Sequence, residues 1–108
     1  KFHQHNASVT LMRTTVEENR AIGQEIGRKV ATARGPVAVF LPRRGVSAID
    51  RAGQPFDDPA ARCALFEGLR RAAGAAEIHE FECHINDPEF AKAAAERLIE
   101  MMKQAARK

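Results

Sequence analysis

Three short polar clusters hold most of the residue types that can do chemistry: Arg43-Arg44-Gly45 with Ser47 and Asp50, Arg13-Thr14-Thr15, and His84-Ile85-Asn86-Asp87. Arginine presents a planar fork of donors that matches carboxylate or phosphate. A turn of backbone amides around a glycine adds an anion-binding concavity. Arg43 and Arg44, with Gly45 and Ser47, are therefore candidates to cradle an anion; the competing reading is a loop whose arginines pair with Asp50 and Asp57. Arg13 and Thr14 precede a helical pattern, where free amides and the helix dipole favour anions, while Thr15 reads first as the helix cap. Histidine exchanges protons near neutral pH, so His84, with Asn86 beside it, is a candidate for ligand hydrogen bonds or proton transfer; merely closing a strand end is the plainer role.

Two catalytic readings use the same residues. Ser47, His84 and Asp50 are the types of a nucleophile, a base and an orienting acid, but Ser47 lacks the G-x-S-x-G elbow. Asp50, Asp57 and His84 could instead hold a hard metal ion, a pattern too generic to assign. His3 and His5 would share one face of an extended segment, but two ligands do not make a metal site. No metal is assigned. Neither the G-x-x-x-x-G-K-[ST] phosphate loop nor G-x-G-x-x-G occurs, so a standard phosphate-loop ATPase is not expected.

Each cluster follows a strand pattern and precedes a helix pattern. Val9 to Arg13 reads as a strand. Thr15 and Glu18 then form a capping box that opens a helix over 16–34. Its apolar stripe is Ile22, Ile26, Val30 and Ala33. Gly23 and Gly27, each costing about 1 kcal/mol against alanine, suggest close packing of this helix on a sheet. Gly35 and Pro36 stop it. Val37 to Leu41 is apolar throughout, as in a strand buried on both faces. A long loop over 42–57 follows, of the size that is usually functional or disordered. Asp58-Pro59 opens a second helix with Ala61, Leu65, Leu69 and Ala72 inward, and Gly74 ends it. Glu77 to Cys83 is a polar strand suited to an edge. Asp87-Pro88 opens the last helix, with Phe90, Ala94, Leu98 and Met102 as its inner stripe. Residues 1–7 show no periodicity.

The order β-α-β-α-β-α predicts an α/β fold, a Rossmann-like unit around a parallel three-stranded sheet. In such a sheet the three clusters gather at the carboxyl edge, where ligands bind. Three strands make a thin sheet with unprotected edges. Missing strands or a partner chain should complete it, and self-association into a homo-oligomer is expected.

Length and composition bound the rest. A chain of 108 residues is one domain. Its 44% hydrophobic and 29% charged residues are ordinary for a globular protein. Seventeen basic residues against fourteen acidic ones, interspersed, leave a net charge of +3 and no nucleic-acid footprint. The twelve arginines against five lysines suit forked anion contacts, although a GC-rich genome produces the same bias. Cys63 and Cys83 lack CxxC spacing and read as reduced thiols in a cytoplasmic protein, with a disulfide as the alternative. No apolar run is long enough to span a membrane.

Several long stretches also resemble a known family. Val9 to Thr15, Glu18-Asn19, Leu41-Pro42, Arg44 to Asp50, Phe56, Asp58-Pro59 and His84 to Phe90 look like the C-terminal part of a family of uncharacterised bacterial and fungal proteins. These are similar to the ATP-binding domain of a plant protein that inhibits tobamovirus replication. The resemblance covers nearly the whole chain. It implies that 1–108 is a single Rossmann-like C-terminal domain, or a fragment, of a longer two-domain protein whose upstream domain is its partner. It further implies nucleotide binding, with ATP as the ligand, and for the plant relative a protein-inhibition role. It implies no reaction. Three functions therefore stand side by side: an anion- or nucleotide-binding module, an enzyme using His84 or Asp50 as acid–base groups, and a protein-interaction module.

Overall fold

The computed structural model describes residues 1–107. It is a small mixed α/β domain with two two-stranded sheets and three helices. Strand β1 (Phe2–Asn6) pairs antiparallel with β2 (Val9–Met12). Helix α1 (Val16–Ala31) follows, then β3 (Ala38–Pro42), α2 (Pro59–Ala72), β4 (Glu77–Phe81) and α3 (Pro88–Ala106). Strands β3 and β4 are parallel and in register from Ala38 opposite Glu77 to Pro42 opposite Phe81.

The expected parallel three-stranded sheet is not formed. Strand β2 turns back on the residues before it instead of joining β3. The hairpin turn is set by Asn6, whose Oδ1 accepts from the Ser8 amide at 2.8 Å, the local side-chain bond that makes asparagine a turn former. Arg13 N–H continues the ladder to the Lys1 carbonyl at 2.7 Å. Within the aperiodic segment 1–7, Phe2–Asn6 thus forms a strand.

Strand alternation gives the β3–β4 sheet two different faces. On one face Leu41 packs with Phe66, Leu69 and Ala73 of α2 and its end, with Val39 and Ile78 beside them. On the other face Phe40, Phe81 and Phe90 form an aromatic cluster under α3, with ring centroids 5.4–6.3 Å apart. Helix α3 is also held by Arg97, which donates from Nε and Nη2 to the two oxygens of Glu77 at 2.6 and 2.7 Å. Those bonds, joined by one from His79, hold the Glu77 carboxyl down at about 2.

Helix α1 contacts α2 rather than a sheet. A Cβ on Gly23 would lie 2.1 Å from the Leu65 carbonyl oxygen, and one on Gly68 would lie 2.6 Å from that of Arg20. Glycines on both helices therefore let backbone meet backbone. This turns α1 away from the expected orientation: Asn19, Gly23 and Gly27 are buried, whereas Ile22 and Ile26 are 43% and 40% exposed. The start of α1 is as expected, with Thr15 Oγ1 accepting from the Glu18 amide at 3.1 Å and Glu18 Oε1 accepting from the Thr15 amide at 2.9 Å. Its end comes earlier than the glycine and proline signal, because Thr32 Oγ1 donates to the Lys29 carbonyl at 2.9 Å and closes the last turn.

Candidate functional site

The loops after β3 and β4 continue the strand ladder past the sheet. Arg43 N–H donates to the Phe81 carbonyl and Arg44 N–H to that of Cys83, both at 2.9 Å, and Ile85 N–H reaches the Gly45 carbonyl at 3.0 Å. The 42–50 and 82–87 segments are thereby stitched into one platform at the carboxyl edge of the sheet. Gly45 is required at its centre. Its φ is +138°, and a Cβ would lie 1.8 Å from the Asp50 carbonyl oxygen and 2.7 Å from the His84 ring.

His84 and Ser47 do come together, but through the backbone of Ser47. His84 is 1% exposed, and its Nε2 lies 2.7 Å from the Ser47 carbonyl oxygen. Its Nδ1 accepts from the Asn86 amide at 3.1 Å. An amide can only donate and a carbonyl can only accept, so the ring is the neutral Nε2–H tautomer with both nitrogens engaged. The Ser47 carbonyl also accepts from the Asp50 amide at 3.0 Å. This arrangement fixes the platform. It leaves His84 no free nitrogen and does not place it on the Ser47 hydroxyl.

Asp50 is 2% exposed and is the hub of a second knot. Its Oδ1 accepts from Arg62 Nη1 at 2.7 Å and from Arg13 Nη2 at 3.3 Å, and its Oδ2 accepts from the Val46 amide at 3.0 Å. Arg62 Nη1 also donates to Asp57 at 3.1 Å. Burial works against the charge on Arg62, but its hydrogen bonds to Asp50 and then Asp57 more than offset this and raise its pKa above the ordinary arginine value. The buried amide of Asn19 donates to the Thr14 carbonyl, the Thr14 hydroxyl and the Thr15 carbonyl at 3.1, 2.8 and 2.8 Å. Arg13 and Thr14 are thus held inside the structure rather than presented at a free helix end.

Arg43 and Arg44 are not the partners of Asp50 and Asp57; Arg62 takes that place. Arg43 Nη1 is 2.6 Å from Glu80 Oε1, which also accepts from Arg70 at 2.7 Å. The pKa of Arg43 is raised, first by its hydrogen bond to Glu80. Glu82 straddles the pair, 3.2 Å from Arg43 Nε and 3.3 Å from Arg44 Nε. Beside them opens a cleft of about 330 Å3 lined by Arg43, Arg44, Arg62, Cys63, Phe66 and Glu82. Three arginines therefore line one cavity between the platform and the start of α2.

Arg62 is a candidate-site residue that the sequence did not mark, and Asn19 was marked only as part of the family-like stretch Glu18-Asn19, with no role given. The signal for Asn19 was its spacing of four from Gly23, which continues the Asn19–Gly23–Gly27 face. Arg62 offered none, since a helix surface accepts an arginine anywhere. Both cysteines are free, with Cys63 exposed and Cys83 buried. Burial pushes the Cys83 thiol up, helped by Glu89, Asp87 and Glu82, so it stays protonated. Asp50, Asp57 and His84 do not form a ligand set. Among the described residues the trio whose ligand atoms lie within 4.8 Å of one another is Cys83, Asp87 and Glu89, and Asp87 already accepts from the His84 amide at 2.8 Å. No helix among them is long and apolar enough to cross a membrane.

Fold and cleft together define a small α/β domain with an arginine-lined cavity at the carboxyl edge of a parallel strand pair. Residues 1–102 match the model of the uncharacterised protein family UPF0261, C-terminal domain. The chain belongs to this family. It is 50% identical over 96 residues to a UPF0261 protein of Rhizobium meliloti, covering 86% of this chain and 24% of that protein. A UPF0261 protein of Clostridium tetani is 46% identical over 105 residues, 95% of this chain and 26% of its own length. The tomato (Solanum lycopersicum) ToMV susceptible protein tm-1(GCR26) is 41% identical over 104 residues, 94% of this chain and 14% of that protein. The chain therefore spans about a quarter of the bacterial relatives it matches.

Proposed function

We propose that this domain is an anion-binding module, with the phosphates of a nucleotide such as ATP as the ligand class, and that it works as the C-terminal part of a longer two-domain protein. What carries the reading is the presence of Arg43, Arg44 and Arg62 in the lining of one cavity at the carboxyl edge of β3, the side of an α/β sheet where ligands bind. Guanidiniums recognise phosphate by paired donors, and Pro59 and Phe66 give the cavity an apolar wall. The test is a thermal-shift titration with ATP, beside the Arg43→Ala/Arg44→Ala variant. Ligand at about 100 times its dissociation constant stabilises by roughly 2.7 kcal/mol. A shift that grows with ATP and disappears in the variant is the expected result. The same shift in both proteins would move the anion away from this cleft and sink the assignment.

A second reading, protein interaction, is favoured by the opposite edge of the sheet. Among the described residues no strand pairs with the side of β3 away from β4. Beside it runs a groove of about 400 Å3 lined by Val37, Phe40, Ala94, Leu98 and Met101, and Leu98, Ile99 and Met102 of α3 are 51–62% exposed. We assign this face to the upstream domain of the same protein, whose strands would extend β3–β4 into the larger parallel sheet of a Rossmann-like fold. Light scattering separates the outcomes. Self-association of this chain alone that vanishes in the longer protein supports the assignment. A homo-oligomer that persists in the longer protein would replace it with a second copy.

A further inference from the structure

The two glutamates that meet the cleft arginines differ in kind. Glu80 is fixed, with contacts of 2.6 Å to Arg43 and 2.7 Å to Arg70. Glu82 sits at 3.2 and 3.3 Å from the Nε atoms of Arg43 and Arg44 and its side chain is 68% exposed. Charge-assisted hydrogen bonds are normally about 2.7–2.9 Å, so Glu82 holds its place loosely. We propose that the Glu82 carboxylate is a built-in occupant of the arginine cleft, displaced when a dianionic oxyanion, such as the phosphate of a monoester, binds there. This rests on the anion-binding reading above and specifies its ligand and its competitor.

Charge sets the valence. Five arginines (Arg13, Arg43, Arg44, Arg62 and Arg70) meet four carboxylates (Asp50, Asp57, Glu80 and Glu82) along this edge. Moving Glu82 out to water leaves five arginines against three carboxylates, an excess of two positive charges, which a phosphate group carrying about −1.5 to −2 at pH 7 matches and a monocarboxylate does not. The arginines able to receive it are placed for the task. Arg43 stays anchored through Nη1 by Glu80, which leaves its Nε side facing the departing carboxylate. Arg62 is only 8% exposed, is held by Asp50 and Asp57 through Nη1, and has a buried Nε with no partner. Exposed ion pairs contribute little, so Glu82 leaves at small cost. A ligand in turn meets a competitor whose strength sets the threshold for occupancy.

The experiment is an amide NMR titration of this chain with inorganic phosphate at fixed ionic strength, beside Glu82→Gln and Arg43→Ala/Arg44→Ala, with acetate as the monoanion. Phosphate should bind Glu82→Gln roughly two- to fivefold more tightly than the parent chain, the range an exposed ion pair allows. Acetate should bind at least tenfold more weakly than phosphate to both proteins, and the arginine variant should lose the response. Cys63 lines the cleft and is exposed, whereas Cys83 is buried, so alkylation of Cys63 by iodoacetamide is a second readout that phosphate should slow, more so in Glu82→Gln. Equal phosphate affinity with and without Glu82, with shifts still centred on the cleft, would overturn the occupant role and leave the anion site standing. Absence of a saturable response at the cleft in any of the proteins would overturn both.

Discussion

Two arginine–carboxylate clusters lie within one loop platform, and they differ in burial more than in composition. In the first, Arg13 and Arg62 close on Asp50, with the three side chains between 3% and 12% exposed. In the second, Arg43 and Arg44 meet Glu82 with side chains 36–70% exposed. Removing one partner of a buried pair strands a charge in a poor solvent, whereas at the surface water replaces the lost partner. The first cluster is therefore a structural knot and the second is open to exchange. The difference shows how one chain uses the same pair of residue types both to fix a loop and to leave charge at an exposed cleft. Arg62 belongs to both, since it is tied into the knot and lines the cleft.

The most severe way to test this contrast is Asp50→Ala. It leaves Arg13 and Arg62 facing each other in a buried site and the Val46 amide without its acceptor, and it should cost about 3–5 kcal/mol in urea unfolding. A loss below 1 kcal/mol would mean the knot is no different from a surface pair. Next comes Gly23→Ala, which drives a Cβ against the Leu65 carbonyl and should cost about 3 kcal/mol. Its unfolding midpoint should fall while the phosphate response of the remaining folded protein weakens, because Arg62 moves with α2.

Arg43→Ala/Arg44→Ala is the opposite pole. Stability should change by less than about 1 kcal/mol, yet anion binding should disappear. If the variant unfolds instead, the exposed cluster is structural too and the comparison collapses. The smallest effect concerns the far face of the sheet. Glu77 is held at about 2 by Arg97, against 4.5 for a free carboxyl. A depressed carboxyl contributes stability that is complete above about 4.5 and fades as pH falls toward 2. Amide exchange in α3 should therefore quicken over that window, and in Glu77→Gln it should be faster at neutral pH and nearly flat with acid. Unchanged exchange in the variant would show that Phe90 alone docks α3.

Signals that act within one turn of chain were legible in the sequence. The Thr15–Glu18 capping box, the Asp58-Pro59 opening and the Gly74 stop all form where expected. The platform was legible as well, because a strand that ends in arginines, glycine and serine fits no repeating element. What was hidden depends on distant partners. The Ile22–Ile26 stripe marks a face that favours burial, but the glycines on α1 and α2 dictate which face α1 buries against α2. β2 follows a strand pattern, yet nothing local says that it pairs backward with β1 and not forward with β3. Ser47, Asp50 and His84 were rightly placed in one region, but their bonding to backbone and to Arg62 required knowing which donor lay across the loop. Arg62 looked like any solvent-facing helix residue until Asp50 and Asp57 were seen around it.

The glycine contact between α1 and α2 has a further consequence. Where backbone touches backbone, no side chains remain to rearrange, so the two helices cannot creep past each other by changing rotamers. A slip of one residue would push Gln24 or Arg28 into a space that admits only hydrogen. The contact works as a detent with a single notch. It sets the lengthwise position of α2, and with it the depth at which Arg62 stands in the cleft. The spacing of the cleft is thereby fixed by residues that do not line it.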